Sequence, residues 1–174
     1  SSNNGSLRSG ALSPLYQRPP DTSHHCSVPE HRRKKGPTLK YRTLAGTDLK
    51  LSTIGFGVWS VSTGWWGPVD KDSGEALLNR AFDKGVTFFD TADTYGEGYG
   101  EEIMKDALSD HRQEIVIGTK FGYDLEAPRE GHKERPQNWD PEFVVEACNR
   151  SLKRLGTDYI DFYQAHNARL SAIE

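Results

Sequence analysis

From residue 54 to residue 166 the chain alternates short apolar runs with amphipathic stretches. IGFGV closes at Gly57, VTFFDT carries Asp90, EIVIGTK ends in Lys120, and DYIDFYQAH ends in His166. Between them lie DKDSGEALLNRAFDKG, GYGEEIMKDALSD and DPEFVVEACNRSLKRLG. Each has the spacing of a helix with one apolar face. Parallel strands need a crossover between them, and a helix is the usual one. Strand, helix, strand, helix, strand, helix, strand therefore predicts an α/β architecture with a parallel sheet. The continuous apolar runs predict strands buried on both faces. Periodicity alone fits a doubly wound sheet and a (β/α)8 barrel equally well.

Flanking signals set the element ends. LKYRTL and LKLST around the turn-rich AGTD read as a β-hairpin ahead of the first parallel strand. The first helix is expected to be capped by Asp72 or Ser73 and stopped by Gly85. The last helix takes Asp140 as N-cap, Pro141 in its first turn and Gly156 as stop. STGWWGPVD, with Trp65 and Trp66, reads as a loop, as does the polar stretch 121–139.

Residues 1–37 break the pattern. They are rich in Ser, Asn, Gly and Pro, have no period, and read as a disordered tail before a domain spanning 38–174. HHC with His31 matches no zinc spacing and reads as polar tail. HRRKK reads as a solvated charge run at the domain boundary. The tail holds six Lys/Arg against two Asp/Glu; the remainder holds 16 against 23, a net charge of −7. A mildly acidic domain argues against nucleic acid as a partner. Two cysteines make no disulfide framework, so a reducing, cytoplasmic setting is the expectation. No apolar run approaches the ~20 residues of a membrane span.

The strand ends carry the chemistry. Asp90, Lys120 and His166 stand at C-terminal strand ends, and Tyr95 follows Asp90 in the next loop. In a barrel these positions converge on the face where loops build active sites. Each residue has an ordinary reading of its own: a loop acid, a packed loop aromatic, a snorkelling lysine, a structural histidine. Four together at successive strand ends favour a site. A free phenol, with a pKa of about 10, is a poor acid near neutrality. A neighbouring ammonium favours the phenolate, and a carboxylate beside that ammonium keeps it charged and in place. An imidazole can hydrogen-bond a substrate oxygen. Such a group would protonate a carbonyl oxygen while a hydride reaches its carbon. GEGYG lacks the spacing and the later acid of a dinucleotide loop.

FFDTADTYGEGYGEEIMKDAL, IVIGTKFG and SLKRLGTDYIDFYQAH resemble the aldo-keto reductases, NAD(P)H-dependent oxidoreductases on a (β/α)8 barrel. The likeness covers residues about 39–167 and is strongest to the bacterial branch that includes the potassium-channel β subunits. It implies that Tyr95 is the general acid, that Lys120 and Asp90 tune it, and that His166 orients the carbonyl. It implies that Gly57, Val58, Trp59 and Asp90 lie near the nicotinamide of NADPH or NADH. Trp65, Trp66, Tyr95, His166 and the 121–139 loop would border a small carbonyl substrate. Three positions depart from the family pattern, and they bear on packing. Gly100 stands where Ser is usual, and Met104-Lys105 where Leu-Gly is usual.

A (β/α)8 barrel typically needs about 250 residues. Four barrel strands with three intervening helices make its N-terminal half, without the C-terminal half where the family holds most of the cofactor. The chain therefore reads as a truncated fragment of a longer reductase. Its open sheet edges would favour self-association. Two further expectations stand beside catalysis: a non-catalytic interaction subunit of the same fold, and an inactive truncated product.

Overall fold

The computed structural model describes residues 39–128 and 134–168. The expectations for residues 1–37 lie outside the described residues.

A short antiparallel hairpin comes first: β1 (Tyr41–Thr43) pairs with β2 (Lys50–Ser52). Four strands then form one parallel sheet in sequence order: β3 (Gly55–Gly57), β4 (Phe88–Asp90), β5 (Val116–Phe121) and β6 (Phe162–Ala165). Helices α2 (Lys71–Asp83), α3 (Tyr99–Leu108) and α4 (Pro141–Leu155) cross between them. A single turn, α1 (Trp59–Ser62), and a 3-10 segment (Ser109–Glu114) are additions to the expected pattern. Among the described residues no helix is long and apolar enough to cross a membrane.

The helix ends show which local signals operate. Asp70, not Asp72 or Ser73, caps α2, because its carboxylate accepts from Ser73 N at 2.9 Å. Ser73 is instead the donor at the third helical position. Asp140 occupies the N-cap of α4 without a side-chain cap bond, and Gly156 ends that helix at φ 64°. That left-handed conformation suits glycine.

Burial differs between strands: β5 is buried on both faces over Val116–Thr119, as expected, whereas β3, β4 and β6 are less covered than expected. Partners in register point the same way, and side chains alternate along a strand. Phe56, Phe89, Ile117 and Thr119 therefore share one face, and Phe88, Asp90, Gly118, Lys120 and Phe162 share the other. The first face lies under the helices, where Phe89, Leu78, Ile103, Met104 and Leu155 form the core. On the second face Phe88 and Gln164 are half-buried, and Phe162 is 39% exposed. Phe88 finds room there because Gly55 has no side chain: a Cβ at Gly55 would come 2.7 Å from the Phe88 ring. Among the described residues β3 and β6 are both sheet edges. The apolar runs reflect helix packing on one face and a second face that is buried at Val116 and Gly118 but less covered at Phe88, Phe162 and Gln164.

Candidate active site

Parallel register brings the strand ends into one row. Gly57 pairs with Asp90, Asp90 with Gly118, and Lys120 with Gln164. Backbone bonds continue the row beyond the strands. Val58 N donates to Asp90 O, Thr91 N to Gly118 O, and His166 N to Phe121 O, each at 2.8 Å. Lys120 is two residues past Gly118, so it returns to the face of Asp90.

There the Lys120 ammonium uses its three donors. It reaches Asp90 Oδ2 at 2.8 Å, Thr91 O at 2.7 Å and the Tyr95 hydroxyl at 3.3 Å. An ammonium only donates. The Tyr95 oxygen therefore accepts from Lys120, and its own proton is left for another acceptor.

Tyr95 is held by a tight loop. Its carbonyl accepts from Gly100 N at 2.9 Å, closing the start of α3 over the loop. Gly100 permits this approach, since a Cβ there would meet Thr91 Oγ1 at 2.7 Å and Tyr95 Cβ at 3.1 Å. Gly96 has φ +61°, and a Cβ there would lie 2.5 Å from Ser62 O. Both the conformation and the space after Tyr95 require glycine.

His166 lies between two phenol rings, edge-on to Tyr95 at 5.8 Å and to Tyr123 at 5.2 Å. Its Nδ1 is 3.4 Å from Thr94 Oγ1. Burial, and next the Lys120 charge, push its pKa below the usual histidine value, against the pull of Asp90 and Glu134. The neutral imidazole is favoured near pH 7.

Tyr95 and His166, but not Asp90 or Lys120, line a cleft of about 260 Å³ with Trp59, Thr63, Thr94, Tyr123, Glu134, Arg135 and Asn167. Larger clefts of about 380 and 570 Å³ lie at the opposite strand ends, around Gln113 and Tyr159, and contain none of the four strand-end groups. Trp65 and Trp66 do not line the cleft. They are 77% and 76% exposed and pack on Trp59, which does. The 121–139 loop contributes Tyr123, Glu134 and Arg135, and is tied across the site by Arg135 to Glu97 and by Gln137 to His166 O. Thr94 and Asn167 went unnoticed in the sequence. Their adjacency to Tyr95 and His166 was the only signal for them.

Residues 53–171 match the aldo/keto reductase family. The chain belongs to that family. It is 39% identical over 118 residues to the aldo-keto reductase yakc [NADP(+)] of Schizosaccharomyces pombe, covering 67% of this chain and 34% of that protein. It is 35% identical over 131 residues to an Arabidopsis thaliana protein named "Probable voltage-gated potassium channel subunit beta", covering 74% of this chain and 37% of that one. Among solved structures it resembles the holo form of aldo-keto reductase AKR11C1 from Bacillus halodurans. The TM-score there is 0.67 at 34% identity, over 76% of this chain and 42% of the other. Against these aldo/keto reductases, the four-stranded sheet is part of a (β/α)8 barrel. The chain spans about two fifths of the length of the relatives it matches.

Proposed function

We propose that these residues belong to an NAD(P)H-dependent oxidoreductase that reduces an aldehyde or ketone to an alcohol. The observation that carries this is the Lys120 ammonium held between the Asp90 carboxylate and the Tyr95 hydroxyl. Tyr95 donates its proton to the carbonyl oxygen. The phenolate left behind faces an ammonium that already donates to it, so charge develops next to a fixed opposite charge. Asp90 keeps that ammonium in place. His166 hydrogen-bonds the carbonyl oxygen and orients it.

The strand end beside Asp90 fits the nicotinamide end of the cofactor. Gly57 is exposed, and a Cβ there would meet nothing within 4 Å, so the backbone is open to a flat ring. Gly57, Val58 and Trp59 would hold it, Val58 through its backbone because its side chain is buried. When bound, NADPH or NADH supplies the hydride that the carbonyl carbon accepts.

The same reading takes residues 1–37 as a tail ahead of the barrel segment, and the edges at β3 and β6 as surfaces for self-association. A second reading is favoured by the channel-subunit relative: an interaction subunit that keeps the fold without turnover. Titration of NADPH into the 174-residue chain, followed by nucleotide fluorescence, tests the first. Saturable binding with carbonyl-dependent NADPH oxidation is expected. Binding without turnover over a broad panel of carbonyls would favour the interaction subunit, and no binding an inactive product.

A further inference from the structure

We propose that the Thr94 hydroxyl sets the tautomer of His166, donating its proton to Nδ1 so that the single imidazole hydrogen sits on Nε2. The proposal deepens the reading of His166 as the group that orients the carbonyl and rests on it.

Thr94 Oγ1 and His166 Nδ1 lie 3.4 Å apart, and among the described residues neither atom has another hydrogen-bond partner. The His166 backbone is held on both sides, and aromatic contacts flank the ring. Its backbone N is bound to Phe121 O at 2.8 Å, and its carbonyl accepts from Gln137 Nε2 at 3.0 Å. Tyr95 and Tyr123 each pack on it in a T-shaped contact, and Asn167 Nδ2 holds the Tyr123 hydroxyl at 3.0 Å. The charged groups around it are Lys120 on β5, Asp90 on β4 and Glu134 in the loop after β5. With the ring flanked and neutral, the remaining variable is which nitrogen carries the proton.

A neutral imidazole has one donor and one acceptor. A hydroxyl can serve either nitrogen state, so the chemistry of the site decides. A carbonyl oxygen offers lone pairs and needs a donor. With the hydrogen on Nε2, His166 donates to that oxygen and Thr94 supplies the matching donor at Nδ1. With the hydrogen on Nδ1, Nε2 would present a lone pair to the carbonyl and compete with it for the Tyr95 proton. The second group on an imidazole commonly fixes its tautomer in this way.

The test needs neither nucleotide nor carbonyl. The chain, carrying six histidines, is labelled with 15N at the imidazoles, and His166 is assigned by the resonances lost in His166→Gln. The expected spectrum has a protonated, pyrrole-type Nε2 and an unprotonated, pyridine-type Nδ1. Thr94→Val should mix the tautomers and raise the His166 pKa, because the neutral form loses its donor. Thr94→Ser should restore both. A pyrrole-type Nδ1 in the wild-type chain would overturn the proposal, and this reading survives even if Thr94→Val fails to fold. So would a folded Thr94→Val with unchanged tautomer and pKa. A chain with the expected tautomer but no carbonyl reduction would sink the functional reading and leave the Thr94 assignment standing.

Discussion

The Lys120 ammonium meets the Asp90 carboxylate at 2.8 Å from the neighbouring strand, and the same ammonium touches the Tyr95 hydroxyl. Asp90 is about a third exposed, so water can replace its partner. Lys120→Met should therefore change stability by only about 1 kcal/mol, as for a partly exposed pair. Turnover should fall on the order of 10²–10⁴-fold, the scale of lost acid catalysis. Thermal melts and carbonyl-dependent NADPH oxidation measured on one preparation separate the two effects. A collapse of both together would make Lys120 a structural residue.

Glu101 gives the opposite balance. It is 0% exposed and is held by Thr119 Oγ1 and Arg154 Nε, both at 2.6 Å. Arg154→Leu strands a buried carboxylate and should cost about 3–5 kcal/mol. Urea denaturation should show a lower midpoint with an unchanged slope. A loss below about 1 kcal/mol would contradict this.

Strand order and the four strand-end groups were legible because parallel register converts sequence position directly into a row of side chains. The uneven burial of β3, β4 and β6 was not. Phe88 and Phe89 read alike as apolar, and only the placement of the helices gives Phe89 the core and Phe88 the concave face. Trp65 and Trp66 stand as substrate neighbours by the family resemblance; in the fold they are exposed and reach the cleft only through Trp59, on which they pack. Thr94 has no chemical signature in a sequence, since a hydroxyl matters only once an imidazole nitrogen is placed beside it. Helix α2 starts at Lys71, earlier than a cap at Asp72 or Ser73 implies, in a run where Asp70, Asp72 and Ser73 all favour N-termini.

Asp93 carries a pH dependence. It is 3% exposed, and one of its carboxyl oxygens is buried without a hydrogen-bond partner among the described residues. Burial first, and then the Glu101 charge, push its pKa up to about 7 from 3.8. Between those values the folded chain holds a proton that the unfolded chain has released. Its contribution to stability is full below about pH 4 and falls as pH rises to about 7. Asp93→Asn should gain on the wild type by up to about 1.4 kcal/mol per pH unit across that window. Paired melts at pH 5 and pH 8 check this; an equal difference at both would contradict it.

The edges at β3 and β6, with Phe162 exposed on the concave face, predict concentration-dependent association of the 174-residue chain. Size-exclusion chromatography over a range of loadings should show it. A well-dispersed monomer at every concentration would count against it.

The central claim is that Tyr95 is the proton donor of a carbonyl reduction. The most direct measurement compares Tyr95→Phe with the wild type in NADPH oxidation over a panel of aldehydes and ketones, with nucleotide affinity read from fluorescence. The account predicts turnover lowered on the order of 10²–10⁴-fold with nucleotide affinity unchanged. Wild-type turnover in the Tyr95→Phe chain would contradict it.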